Sequence, residues 1–214
     1  LTLLARVRQN RRMASVIERA SSGRAKCRGC GQAIAKGDWR FGEALPNAYG
    51  EGESLFWFHL RCAACSRPES ILPLLDVEAG VDEAEAEELR ALAQGGVAQP
   101  RLSRLLRAER ASSGRARCRH CRELIAQGDW RLTLQLFEEG RFNSIGTIHA
   151  TCAVHYFGVE PGAERLSLPG SELDAEALLA VQGQMREGAA REIQPGLAKA
   201  SSDEPALESA RKSS

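Results

Sequence analysis

The chain has 214 residues, a net charge of +1 and only 5% aromatic residues. That length allows one large domain or two small ones, and so few aromatics leave two separate cores thin unless a metal staples them. Seven cysteines are too few for a disulfide-dense secreted scaffold, and no apolar run is long enough to span a bilayer, so no membrane partner is expected.

Taken in chain order, residues 1–20 form a basic N-terminal segment with net charge +4. Its apolar Leu1–Ala5 precedes Arg6, Arg8, Arg11 and Arg12, the reverse of a secretory signal. A reducing, intracellular compartment is therefore expected, the nucleus in a eukaryote and the cytoplasm or nucleoid in a bacterium, where close cysteine pairs hold metal more often than they form disulfides. Met13 is a candidate natural start, because residues 1–12 have no counterpart ahead of the second copy of the repeat described below. A first Cys-rich module spans 21–80. A helical linker follows over 81–111, with Asp82 as N-cap, Glu83 and Glu85 in the first turn and Gly95-Gly96 marking the end. Leu89 and Leu92 should face a module, and Pro100 opens a second amphipathic stretch with Leu102, Leu105 and Leu106 on one side. A second module spans 112–165, a C-terminal helical segment 166–187, and 188–214 reads as a disordered tail poor in large apolar residues.

The two modules are copies. Residues 17–31, I-E-R-A-S-S-G-R-A-K-C-R-G-C-G, align with 108–122, A-E-R-A-S-S-G-R-A-R-C-R-H-C-R. I-A-K-G-D-W-R at 34–40 aligns with I-A-Q-G-D-W-R at 125–131, and F-H-L-R-C at 58–62 with I-H-A-T-C at 148–152. The offset falls from 91 to 90 between the last two matches, as a one-residue loss in a surface loop would give. Charge follows the repeat: residues 21–67 carry +3 and 101–157 carry +5, whereas 68–100 carry −7 and 158–214 carry −4. Basic Cys-rich parts suit a polyanion partner; solvated surfaces that balance one another explain the pattern equally well.

Each module offers C-x2-C, a long gap, then H-x2-C: Cys27, Cys30, His59 and Cys62 in the first, Cys118, Cys121, His149 and Cys152 in the second. Thiolates with imidazole select zinc over hard cations, and four protein ligands leave no open position, so two structural zinc ions per chain are expected. At i, i+3 the His and Cys of the second pair should share one turn of helix. Cys65 and His155 also align across the copies, so Cys62-x2-Cys65 is a rival pair that leaves His59 outside. The gap exceeds the roughly 12 residues of a recognition-helix finger and has room for a small antiparallel sheet.

The residues S-G-R-A-x-C-x2-C, I-x2-G-x2-R and W-x-H-x2-C resemble the zinc finger of poly(ADP-ribose) polymerases, found also in a DNA ligase. In the first module these are Ser22-Gly23-Arg24-Ala25, Cys27, Cys30, Ile34, Gly37, Arg40, Trp57, His59 and Cys62. In the second they are Ser113-Gly114-Arg115-Ala116, Cys118, Cys121, Ile125, Gly128, Arg131, His149 and Cys152, with Thr147 and Ile148 replacing Trp57 and Phe58. The resemblance implies tandem small zinc-stabilised α+β modules, each a short antiparallel sheet with a C-terminal helix around a Cys3His site, and favours His59 and His149 as ligands. It further implies sequence-independent binding of DNA breaks or ends, with Arg24, Arg40, Arg115 and Arg131 on backbone phosphates. A loop would stack apolar side chains on an exposed base pair; Leu45, Tyr49 and Leu55 are the candidates in the first module, Phe137 and Phe142 in the second. No polymerase or ligase region and no phosphate-cradling glycine motif accompany the fingers in this sequence, so no enzyme activity is expected. A monomer that binds nicked or ended DNA, with a repair enzyme as a further partner, is the leading expectation. A zinc-built protein-interaction adaptor using the acidic helix 82–95 is the alternative, and a thiol redox sensor the third.

Overall fold

The computed structural model describes residues 14–47, 52–77, 80–138, 140–168, 171 and 173–191. The possible start at Met13, Tyr49 and the stretch 192–214 of the expected tail lie outside them.

Each copy builds a three-stranded antiparallel sheet. In the first, β1 (Val16–Arg19), β2 (Trp39–Pro46) and β3 (Glu53–His59) lie in the order β1-β2-β3. Helices α1 (Leu60–Ser66), α2 (Pro68–Leu75) and α3 (Glu83–Ala98) follow. A 3-10 turn, Pro100–Arg104, leads into β4 (Leu105–Arg110), β5 (Trp130–Glu138) and β6 (Arg141–His149), ordered β4-β5-β6. A 3-10 turn, Ala150–Cys152, and α4 (Ala153–Phe157), α5 (Ala163–Leu166) and α6 (Ala175–Ala190) complete the chain.

The cores repeat with the sequence. Phe41 faces Phe58 across β2–β3 and Leu132 faces Ile148 across β5–β6, all four fully buried. Helices close each core: Ala86, Leu89 and Ala93 turn one stripe of α3 inward in the first, and Val181 and Met185 do so from α6 in the second. As anticipated, Asp82 caps α3 by accepting from the amides of Ala84 and Glu85 at 3.1 and 3.3 Å.

Two expectations need correcting. Gly95-Gly96 does not end the linker helix, which runs on to Ala98. A Cβ at Gly96 would lie 2.9 Å from the Pro68 ring and 3.1 Å from the Arg165 guanidinium, so this glycine permits close packing. Residues 105–110 are strand, not helix: Leu105, Leu106 and their neighbours add the third strand to the second sheet. On that strand Leu105 and Ala108 are buried against the sheet, while Leu106 is half-buried.

Candidate metal centres and nucleic-acid interface

The first two ligands of each module sit in a tight knuckle. The Cys27 amide bonds Gln32 O at 2.8 Å and the Gly31 amide bonds Cys27 O at 2.9 Å; Cys118, Glu123 and Arg122 repeat the pattern at 2.8 and 2.9 Å. The chain turns through the left-handed region at Gly31 (φ 78°) and, in the second copy, at Arg122 (φ 70°), where a non-glycine residue is uncommon. Ile34 and Ile125, both fully buried, anchor the two knuckles.

The other two ligands straddle the end of a strand. His59 closes β3 in extended conformation and Cys62 lies in the first turn of α1; His149 closes β6 and Cys152 lies in the 3-10 turn. The i, i+3 spacing therefore spans a strand-to-helix junction, and the two ligands do not share one helical turn. The His59 amide donates to Cys27 Sγ and the His149 amide to Cys118 Sγ, each at 3.4 Å.

In each finger the four ligand atoms lie within 4.8 Å of one another. His59 Nδ1 is 3.4 Å from Cys30 Sγ and 3.9 Å from Cys62 Sγ, and His149 Nδ1 is 3.4 and 3.9 Å from Cys121 and Cys152. A tetrahedral zinc with ordinary Zn–S and Zn–N bonds separates S from N by about 3.6 Å, midway between these values. Nδ1 is thus the metal-facing nitrogen, and His149 Nε2 lies 3.2 Å from Leu124 O, the outer hydrogen bond that orients a ligating histidine.

The donors also compete for protons in the way a cation relieves. Hydrogen bonding to Cys152 draws the Cys118 thiol down to about 4, while Cys152 is driven far up by Cys118 and by burial. In the first finger hydrogen bonds from Cys30 and Cys62 lower Cys27, hydrogen bonds with Cys27 and Cys30 together with burial raise Cys62, and hydrogen bonds to Cys27 and Cys30 lift the His59 imidazolium to about 10. These residues fit zinc, which holds its thiolates deprotonated and its imidazole neutral. The rival ligand Cys65 is not among the four converging donors; it is 3% exposed, its thiol pushed up by burial. Its counterpart His155 bonds Gly188 O at 3.1 Å.

The four arginines expected on phosphate separate into two pairs. Arg24 and Arg115 are exposed and make no ion pair or hydrogen bond among the described residues. Arg40 is 8% exposed; it bonds Glu18 through Nε and Nη2 and stacks 3.5 Å from the centre of the Trp57 ring. Arg131 likewise bonds Glu109, at 3.0 and 2.7 Å. Burial raises the Glu109 carboxyl, but hydrogen bonds from Thr133, Arg131 and Arg107 outweigh it and hold this carboxyl below its ordinary value. Residues 24 and 115 therefore face solvent, whereas 40 and 131 are tied into their sheets. The knuckles carry further exposed cations that the family resemblance does not point to: Lys26 and Arg28 in the first, Arg117, Arg119 and Arg122 in the second. Their interleaving with the C-x2-C pair was the signal in the sequence.

The expected stacking residues part as well. Leu45 and Leu55 sit in the β2–β3 hairpin, whereas Phe137 and Phe142, near the tip of β5–β6, pack against the core of the first finger.

Two closed four-donor sites on two small α+β units define a tandem structural zinc-finger protein. Residues 18–98 match the family described as the poly(ADP-ribose) polymerase and DNA-ligase Zn-finger region, and the first finger is of this type. Beyond that match, the second finger repeats its two ligand pairs, with one residue fewer between them, and its knuckle and strand order. The family is one of DNA-binding zinc fingers that are not catalytic by themselves. No curated protein matches the chain.

Proposed function

We propose that this protein binds DNA without sequence preference, through backbone phosphates, and that it selects strand breaks or ends. The observation that carries the reading is the matched pair Arg24 and Arg115: each is exposed, unpaired among the described residues, and set just ahead of a zinc knuckle bearing further cations. A guanidinium held away from internal carboxylates keeps its planar fork for phosphate. Arg40 and Arg131 already satisfy Glu18 and Glu109, so in this reading they shape the sheet beneath the contact. Selection of breaks rests on the family and on physics: a nick or an end bends at low cost and exposes a base face.

The test is a competition at fixed salt among intact circular, nicked and blunt-ended DNA. Nicked or ended DNA should compete better than circles. Equal competition leaves a general DNA binder, and absence of binding by zinc-loaded protein at low salt turns the reading toward the adaptor.

A further inference from the structure

The two fingers differ most where they touch. At the tip of the second hairpin, Phe137 pairs across the strands with Phe142 and their rings meet edge to face at 4.8 Å. Phe142 stands edge-on to the buried Phe58 of the first finger at 6.3 Å, and the Arg67 guanidinium lies 4.0 Å from the centre of the Phe137 ring. Arg67 is itself fixed by two bonds to Glu43, 3% exposed, which also accepts from Ser70. Gly140, at φ 78°, seats the turn so closely on Phe56 that a Cβ there would come within 3.2 Å of the ring.

A second contact lies on the helical side. Arg165 is 4% exposed and reaches from α5 into the first finger, donating to Cys65 O at 3.0 Å and to Leu92 O. Among the described residues it has no carboxylate partner. A buried guanidinium is tolerated only where acceptors are fixed for it, and here they are carbonyls of α1 and α3.

These contacts have a direction that the repeat reveals. In strand register the positions matching Phe137 and Phe142 are Pro46 and Glu53 in the first finger. Positions matching Glu43 and Arg67 are Leu134 and Phe157 in the second, both buried in its own core. The second finger carries only the knob and the first only the seat. A contact of this kind between copies of the chain would be head-to-tail; within one chain it closes on itself.

From this asymmetry we infer that the β5–β6 hairpin is a docking element, and that Phe137, Phe142 and Arg165 are positioning residues that join the fingers into one rigid DNA-binding body. The DNA clause rests on the function proposed above; the docking does not. A fixed body presents both arginine-bearing knuckles at one spacing, so the second finger binds without a further ordering cost.

The experiment uses the full zinc-loaded chain, Phe137→Ser/Phe142→Ser and, at the other contact, Arg165→Gln. Calorimetry should give one unfolding transition for the native chain and two for the hairpin variant, with larger dimensions by small-angle scattering and zinc unchanged at both sites. Affinity for a nicked duplex should fall about tenfold, the size of an ordinary coupling between sites, and Phe137→Tyr/Phe142→Tyr should restore it. Arg165→Gln should move the same readouts the same way. Two transitions in the native chain, or one in both disrupted variants, would overturn the docking. Separated transitions with unchanged affinity would overturn its role in binding. If the native chain binds no DNA yet shows the calorimetric change, the docking stands and the proposed function fails.

Discussion

At the scale of single residues, matching positions in the repeats do different physical work according to what they face. Arg24 and Arg115 face water, where a cation retains its full value for a phosphate. Arg24→Ala and Arg115→Ala should each weaken binding to all DNA sequences alike and make the log–log salt slope shallower by about one, with thermal stability unchanged. Arg40→Ala should do the reverse in the first instance. It removes the ion pair to Glu18 and the contact over Trp57, and should lower stability by about 1–2 kcal/mol, read as a shift of the denaturant midpoint. Loss of DNA affinity in Arg40→Ala at undiminished stability would show that this guanidinium leaves Glu18 to meet phosphate.

At the scale of elements, glycines set how closely helices approach their neighbours. Gly95 and Gly96 are adjacent in α3 but meet different surroundings. The nearest atom to a Cβ on Gly95 is 3.9 Å away, while one on Gly96 would crowd Pro68 and Arg165. Gly95→Ala should therefore be neutral or stabilise by up to about 1 kcal/mol. Gly96→Ala should destabilise by about 1–3 kcal/mol through overpacking. Equal midpoints for the two variants would sink this reading of Gly96. Gly188 in α6 is stricter, since its Cβ would overlap the backbone of Thr151 in the 3-10 turn that carries Cys152. These details explain what the sequence could disclose. Ligand spacing was legible because four donors must converge on one ion, and both Cys3His sets converge. The cap at Asp82 was legible because it is a local hydrogen bond. Gly96 was misread because a glycine kept for packing looks the same as one kept for a helix end. Leu105 and Leu106 were misread because with Leu102 their spacing fits a helical face; Leu102 does lie in a helical turn, and only the second sheet shows that 105 and 106 belong to a strand. Arg24 and Arg40 looked alike because the carboxylate that captures Arg40 lies 22 residues away, on the neighbouring strand.

At the scale of the whole molecule, the zinc sites and the packing between fingers form one system. Cys30 and Cys62 of the first site border the same shallow cavity as Leu105, Leu106 and Gln135 of the second finger. Phe137 and Phe142 rest on the core that the first site organises. Viewed as independent modules, the fingers would each lose their own ion and nothing else; viewed as a docked pair, they would not. The intact protein should carry zinc at both sites, and His59→Ala should lose one ion, because removing one of four donors opens the first site. It should keep the ion at His149, whose four donors all come from the second finger. With the first core loosened, however, Phe137, Phe142 and Arg165 lose their seat, so the remaining folded unit should melt at a lower temperature than the native chain. Cys65→Ala should keep both ions, since that thiol lies outside the donor set. Zinc counted by mass spectrometry under native conditions, together with calorimetry on the same samples, decides the matter. Both ions bound in His59→Ala with one lost in Cys65→Ala would transfer the ligand role to Cys65. One ion bound in His59→Ala with the second finger melting unchanged would show that each zinc stabilises its own finger alone.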